Sequence, residues 1–174
     1  MPADEVAEIL RTLDDVRMLQ GRVGSSKQLA PTMRSGGVLW IHHRDMSPHI
    51  LSRLFTVASV ANHLRGWNFH IEGLTPLVQA TSYAAEGAEH YDWHTDWAPG
   101  SLGYRKISIV AHLSDPASYD GGTLQLTNDA APMETDKTTG TVVVFPSFVL
   151  HRVTPVTRGR RLGLVVWAVG PSFA

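Results

Sequence analysis

The sequence has no cysteine, few charged residues and no long apolar run. Without cysteine the chain can form neither disulfides nor thiolate metal sites, and this composition fits a reducing compartment. A net charge of -1 with 18% charged residues excludes the broad basic surface that nucleic-acid binding requires. No apolar run approaches the roughly 20 residues of a membrane span, and the N-terminus lacks the basic and apolar regions of a signal peptide. These absences predict a soluble, cytoplasmic protein without a nucleic-acid or membrane partner.

The length of 174 residues favours one domain, residues 1–174, that is large enough to bury its own core. Within it we predict helical and loop support over residues 1–66 and a β-rich core over residues 67–169. A first helix is predicted over residues 3–16, where apolar residues recur at helical spacing. Residues 20–37, rich in Gly and Ser, are predicted to be a loop or a pair of short edge strands. As a long loop, this segment is a candidate lid over a bound molecule.

A second helix is predicted to begin at Ser47 and Pro48, because Ser is a favoured N-cap and Pro is favoured at the first helical position. One apolar stripe follows, and Gly66 can end this helix in a left-handed conformation. The apolar stripe predicts that the helix covers one face of a sheet.

From Trp67 onward the pattern is that of β-structure. Residues 105–113 alternate between two sets of side chains, as expected for a strand with two different faces. Many short strands separated by Gly, Pro and Asp turns favour a sandwich or a barrel. The predicted strands are residues 38–42, 68–71, 77–83, 105–113, 123–126, 141–145 and 162–169.

Three residues in the β-rich part have side chains suited to metal binding. His94 and Asp96 are two residues apart, so on a strand or its extension they point to the same side. His151 follows about fifty residues later. Two His and one carboxylate can bind one face of an iron(II) ion and leave other positions open. A His-x-Asp tripeptide is also common by chance, and a lone His at the start of a strand is often structural, so the residues alone leave both interpretations open.

Arg161 follows His151 on the next strand-like run. A buried Arg presents a planar fork that binds a carboxylate through two hydrogen bonds. An open metal site beside such an Arg is suited to a keto acid. A zinc hydrolase with the same three ligands is a further interpretation, but it leaves Arg161 unexplained.

Several motifs follow one another in a fixed order between residues 77 and 169. They are Tyr83 with Gly87, His94-Thr95-Asp96, Leu113-Ser114-Asp115-Pro116, Tyr119-Asp120-Gly121-Gly122, Phe145-Pro146-Ser147, His151-Arg152-Val153-Thr154-Pro155-Val156 and Arg158-Gly159-Arg160-Arg161. This series resembles the iron(II)- and 2-oxoglutarate-dependent dioxygenases. The nearest branch is the prolyl 4-hydroxylase-like group, with the small bacterial and phage hydroxylases around it.

The resemblance implies a mainly β fold with flanking helices, the cupin-like double-stranded β-helix or jelly roll. It also implies iron(II), with 2-oxoglutarate and oxygen as cosubstrates, and His94, Asp96 and His151 as the iron ligands. Family halogenases lack the carboxylate ligand, so the presence of Asp96 argues against that relative.

The resemblance further implies that an Arg on the eighth strand binds the distal carboxylate of 2-oxoglutarate. We choose Arg161 over Arg160, because the family's Arg is often followed six residues later by a Trp, and Trp167 fits this spacing. Tyr83 matches the Tyr that hydrogen-bonds the same carboxylate. His112 lies where some members carry a second cosubstrate-binding Tyr. Gly163 replaces a Ser that many members have two residues after the Arg.

The activity that the resemblance implies is hydroxylation of an unactivated C–H bond with release of succinate and carbon dioxide. We expect a small-molecule substrate, such as an amino acid or a metabolite, and a monomer or homodimer. The alternatives are a prolyl or peptidyl hydroxylase acting on a protein, and a jelly-roll metal-binding protein without turnover. The candidate substrate-binding residues are Trp93, Trp97, Arg105 and Trp167.

Overall fold

The computed structural model describes residues 1–20, 33–127 and 131–173. Most of the predicted loop 20–37 therefore lies outside the described residues. The helices are α1 (Ala3–Gln20) and α2 (Pro48–Leu64), with 3-10 turns at His43–Asp45, Ala85–Gly87 and Pro116–Ser118. The strands are β1 (Gly37–His42), β2 (Gly73–Leu74), β3 (Leu77–Ala84), β4 (Tyr91–His94), β5 (Arg105–His112), β6 (Tyr119–Gly121), β7 (Leu124–Thr127), β8 (Met133–Glu134), β9 (Val142–Pro146), β10 (Leu150–Val153) and β11 (Val156–Val169).

The strands form two sheets. The larger sheet has the order β1-β3-β11-β5-β9, and β2 and β6 pair with the two ends of β11. The smaller sheet has the order β4-β10-β7-β8. All of the strand pairs are antiparallel. Apart from β7 and β8, neighbouring strands in both sheets are distant in sequence, so side chains from separate segments meet between the sheets.

Both helices pack on the outer face of the larger sheet. Their apolar stripes and every second residue of β3, β5 and β11 form one buried cluster, which includes Ile9, Leu54, Ile107, Ile109 and Leu164. Burial of this apolar surface supplies the main stabilisation of the layer. The alternation predicted over residues 105–113 thus corresponds to a strand with one helix-facing side and one interior side.

The ends of α2 agree with the sequence in position and differ in one contact. Ser47 occupies the N-cap position and Pro48 begins the helix, but the Ser47 side chain makes no capping hydrogen bond. Its hydroxyl donates instead to a carboxylate oxygen of Glu8 on α1. Gly66 follows the helix with a φ of 69°, the left-handed conformation that the sequence predicted.

Residues 68–71 do not form the predicted strand. Asn62 of α2 donates from Nδ2 to the Phe69 carbonyl at 2.9 Å and accepts from the Phe69 amide at 3.0 Å. Because one side chain satisfies both backbone groups of Phe69, those groups are not available for a strand ladder. The adjoining strand is β2, which pairs with the end of β11.

A second buried cluster lies between the two sheets. It contains Tyr83, Val110, Leu124, Phe145 and Val153, which come from both sheets. Polar side chains share this interior, and they form the site described below. Among the described helices, none combines the length and apolar character needed to cross a membrane.

Candidate active site

His94, Asp96 and His151 meet between the sheets. His94 ends β4 and is directly opposite His151 on β10, and Asp96 lies two residues beyond the strand. His94 Nε2 is 3.8 Å from Asp96 Oδ1, and His151 Nε2 is 3.6 Å from Asp96 Oδ2. One possible ligand atom from each residue lies within 4.8 Å of the others. The spacing therefore brings two nitrogens and one carboxylate to a common point, as a facial metal site requires.

Hydrogen bonds to backbone carbonyls fix the orientation of both imidazoles. His94 Nδ1 donates to the Asp92 carbonyl at 2.7 Å, and His151 Nδ1 donates to the Val149 carbonyl at 2.9 Å. A carbonyl only accepts, so each Nδ1 carries the proton and each Nε2 keeps its lone pair. Both Nε2 atoms therefore suit metal binding.

Two buried serines orient Asp96. The Ser108 hydroxyl donates to Asp96 Oδ2 at 2.7 Å and lies 3.1 Å from Ser147 Oγ. The Asp96 amide donates to the Ser147 carbonyl at 2.9 Å. Both serines are fully buried. This arrangement leaves Asp96 Oδ1 available to a metal. The sequence analysis assigned no role to either serine, although Ser147 belongs to the Phe-Pro-Ser motif.

The surroundings keep His94 neutral. Burial and, to a lesser extent, the adjacent His151 lower the pKa of His94 to about 4, against the opposing effects of the Asp92 carbonyl and Asp96. At neutral pH the imidazole is therefore uncharged, with its one ring proton on Nδ1, and this is the form that binds metals.

Arg161 lies in the same pocket as the three candidate ligands. It is only 1% exposed, and its Nε and Nη2 have no hydrogen-bond partner among the described residues. Tyr83 is directly opposite on β3, and the Arg161 Cζ is 5.8 Å from the centre of its ring. Arg160 is exposed and donates to the Ser82 hydroxyl at 3.1 Å. The register thus directs Arg161 inward and Arg160 outward.

Three further polar side chains surround Arg161. Tyr119 is buried and hydrogen-bonded to the guanidinium, and burial raises the pKa of its hydroxyl. His112 is 1% exposed, with both ring nitrogens unpartnered among the described residues, and it is in register with Gly163. A Cβ on Gly163 would lie 3.2 Å from Thr81 Oγ1 and 3.4 Å from Arg161 Nη1. The Thr81 hydroxyl thus lies where a side chain at position 163 would reach.

The pocket is bordered by aromatic rings and two more arginines. Tyr91 stacks on His94 with 3.4 Å between the ring centres, and Arg34 lies over Tyr91 at 4.7 Å. Arg105 lies 3.7 Å from the ring centre of Trp167, which lines the pocket. The sequence suggested Arg105 and Trp167 as substrate residues, and Arg34 was missed because it falls in a stretch without periodicity.

Trp93 and Trp97 are not among the residues that line this pocket. Trp93 packs against Arg152 at 4.6 Å, because strand alternation turns it away from the face that carries His94. Trp97 forms an edge contact with Phe173, with ring centres 6.1 Å apart. Proximity in sequence to the His-x-Asp motif was therefore a poor guide to the pocket walls.

A second cavity, of about 290 Å³, lies between α1 and strands β1 and β3. Its lining is mainly apolar, and Asp14 is the one ionisable side chain among the described residues that line it. The triad pocket is smaller, about 40 Å³. Because the chemically active groups converge on the smaller pocket, we assign the candidate active site there.

Comparison with known proteins gives consistent results for the whole chain. A family model described as the 2OG-Fe(II) oxygenase superfamily matches residues 78–169. A PKHD-type hydroxylase from Klebsiella pneumoniae is 30% identical over 174 residues, which cover 96% of this chain and 74% of the relative. A PKHD-type hydroxylase from Teredinibacter turnerae is 46% identical over 61 residues, which cover 35% of this chain and 27% of the relative.

Solved structures show the same fold at lower identity. A Pseudomonas putida prolyl-4-hydroxylase has a TM-score of 0.75 and 24% identity, covering 98% of this chain and 89% of that chain. A Trichoplax adhaerens prolyl hydroxylase, in complex with a hypoxia inducible factor peptide fragment, has a TM-score of 0.74 and 21% identity, covering 97% and 80%. The predicted jelly roll with flanking helices is confirmed.

Proposed function

Since the chain belongs to the 2OG-Fe(II) oxygenase superfamily, we propose that it hydroxylates an unactivated C–H bond of a small molecule, such as an amino acid or a metabolite. The observation that carries this proposal is the buried guanidinium of Arg161, whose Nε and Nη2 have no partner among the described residues, in the same pocket as His94, Asp96 and His151. Arg161 is suited to bind the carboxylate end of a keto acid, and the three candidate ligands are suited to hold the metal that the keto acid must reach.

The residues fit the cofactor set of the family. His94, Asp96 and His151 would hold iron(II), because a nitrogen, carboxylate and nitrogen set suits this ion and leaves positions open. Arg161 would bind the distal carboxylate of 2-oxoglutarate, with Tyr83, Tyr119, Thr81 and His112 around it. Iron(II), 2-oxoglutarate and oxygen together supply the oxidant for C–H hydroxylation, with succinate and carbon dioxide as coproducts.

The small pocket volume supports a small substrate or a single projecting side chain. Arg34 and Arg105 contact residues that line the pocket, and both are half-buried. A second candidate function is hydroxylation of a prolyl residue in a protein. It is favoured by the names of the structural neighbours, because both of those described above are prolyl hydroxylases.

The test of the cosubstrate assignment is an anaerobic titration of the purified protein with iron(II) and then 2-oxoglutarate. We expect the weak visible charge-transfer band of an iron–keto-acid chelate in the wild type and its loss in His94→Ala and Asp96→Ala. His63→Ala, on the exposed side of α2, is the matched control and should behave as wild type. Iron binding without the band would contradict the proposed cosubstrate site.

The substrate class is tested by succinate release with free amino acids and with proline-containing peptides. Stimulation by free acids alone supports the small-molecule proposal. Stimulation by the peptides alone would favour the prolyl function instead.

A further inference from the structure

Two arginines beside the triad pocket are not explained by the iron and 2-oxoglutarate sites. Arg34 donates from Nη2 to the Gln79 side-chain oxygen at 3.3 Å, and Arg105 donates from Nη1 to the Asp96 carbonyl at 3.3 Å. Gln79 and Asp96 both line the pocket. The two guanidinium groups therefore lie beside the cavity that contains the candidate metal ligands.

Neither arginine has an anionic partner among the residues that the structure describes. In the described part of the chain, the arginines that form salt bridges are Arg44, Arg53 and Arg158. The contacts of Arg34 and Arg105 are with neutral oxygens and aromatic rings. The Nε atoms of both are buried and have no hydrogen-bond partner among the described residues. A buried donor without an acceptor is unfavourable, so each site is suited to an acceptor from outside the chain.

The cosubstrate does not supply this acceptor. Asp96 and the two carboxylates of 2-oxoglutarate would together balance the charges of iron(II) and Arg161. Arg34 and Arg105 then remain as uncompensated positive charges near the metal ligands. A pocket with this excess of positive charge binds an anionic ligand in preference to a neutral one.

The geometry points to a substrate that carries a carboxylate, bound by Arg34 and Arg105, with its carbon skeleton against the rings of Tyr91 and Trp167. This inference rests on the proposed function and narrows its substrate class. A guanidinium fork matches a carboxylate in shape as well as charge. Tyr91 contacts both a candidate metal ligand and one of the two arginines, because its ring stacks on His94 and also lies under the guanidinium of Arg34.

The test is calorimetric binding of matched acid and amide pairs to protein loaded with manganese(II) and one equivalent of 2-oxoglutarate. The probes are acetate and acetamide, benzoate and benzamide, and N-acetyl-L-proline and N-acetyl-L-prolinamide. We expect at least one acid to bind about tenfold more tightly than its amide, as a charged hydrogen bond replaces a neutral one. Arg34→Gln and Arg105→Gln should each remove that preference, while Arg44→Gln, an exposed control, should keep it.

Equal binding of acid and amide in all three pairs would overturn the inference, as would a preference that persists in both Arg variants. Loading with 2-oxoglutarate is measured first in the same experiment. Failure of manganese-dependent loading in the wild type contradicts the proposed function, whereas normal loading without acid preference contradicts only the carboxylate assignment. Normal loading of the two variants shows that they have retained the fold.

Discussion

Arg161 is a charged residue that the fold has removed from water. Burial lowers the pKa of its guanidinium, and the neighbouring Tyr83 and Tyr119 oppose that effect. An Arg nevertheless stays protonated in proteins, so the site holds a permanent positive charge with free donors. A carboxylate ligand converts this unfavourable arrangement into a charge-assisted hydrogen-bonded pair.

We therefore expect Arg161→Ala to weaken 2-oxoglutarate binding far more than Arg160→Ala does. Losing one partner of a buried charged pair costs about 3 kcal/mol, or about a hundredfold in affinity. Metal-dependent 2-oxoglutarate binding by calorimetry measures both variants. The reverse ranking would mean that the outward residue binds the cosubstrate and that the assigned roles on β11 are exchanged.

Ser108 provides a second residue-scale prediction. Its hydroxyl holds Asp96 Oδ2, so Ser108→Ala should leave the carboxylate less well oriented and reduce metal affinity by about 10- to 100-fold. Manganese(II) binding followed by electron paramagnetic resonance measures the change. Ser101→Ala, in an exposed loop, is the control, and equal affinities for the two variants would rule out an orienting role for Ser108.

At the scale of single residues, the sequence identified the candidate metal ligands and the carboxylate-binding Arg, and it missed the residues that orient or surround them. The residue types of His94, Asp96 and His151 suggested a metal site, and the resemblance to the dioxygenases supplied the ligand set and the choice of Arg161. Ser108 and Arg34 are ordinary residue types whose importance comes from neighbours distant in sequence. Their roles depend on strand pairing, which a local pattern does not contain.

The helix α2 stabilises the larger sheet through one face only. Leu54 is 1% exposed and Leu64 is 75% exposed, although both lie on the same helix. Leu54→Ala should reduce the free energy of unfolding by about 2 to 5 kcal/mol, because it leaves a cavity against the sheet. Leu64→Ala should change it by less than about 0.5 kcal/mol. Urea unfolding of both variants checks the contrast, and similar losses would show that the buried face is not the stabilising one.

Elements whose pattern is long and periodic were predictable, whereas the short ones were predicted with mixed success. The second helix was expected from Ser47 to Gly66, and the structure has α2 over Pro48–Leu64. Residues 68–71 were expected as a short strand at the start of the β-rich part, but the side-chain amide of Asn62 takes the hydrogen bonds that a strand would need. A side chain on the preceding helix thus decided the local backbone, which composition alone does not reveal.

The stability of the whole molecule should depend on pH through His112. Burial, with Arg161 as a further cause, lowers the pKa of His112 to about 4, while an unfolded chain has a His pKa of about 6.5. Between these values the unfolded state binds more protons, so the free energy of unfolding falls as the pH falls from about 6.5 to about 4. The full contribution is about 3 kcal/mol.

His112→Gln should therefore flatten the decline in stability of the metal-free protein over this pH range. The measurement is urea unfolding at pH 7 and pH 5. For each protein, the quantity compared is the change in the free energy of unfolding between the two pH values. His63→Gln, at an exposed position, should leave the decline unchanged. If the free energy of unfolding of His112→Gln fell as steeply as that of the wild type, His112 would not be the source of the pH dependence.

The order of the strands is the whole-molecule property that the sequence did not determine. β3, β5 and β11 are far apart in the chain and adjacent in the larger sheet. The choice of jelly roll came from a resemblance to a family, because periodicity alone favoured only a sandwich or a barrel. The packing of two sheets around polar groups is a property of long-range pairing, which no local segment encodes.

The strand β11 has a consequence for how this molecule can change over evolution. Arg161 and Trp167 lie six residues apart on it, which is about 20 Å of strand, and β3 and β5 flank it on both sides. A one-residue insertion or deletion between the two positions would move one of them to the opposite face. The distance between these two side chains along the pocket is therefore difficult to change in evolution. Under the proposed function, new substrates would be accommodated by exchanging side chains near Trp167 or Arg34, while the site beside Arg161 is retained.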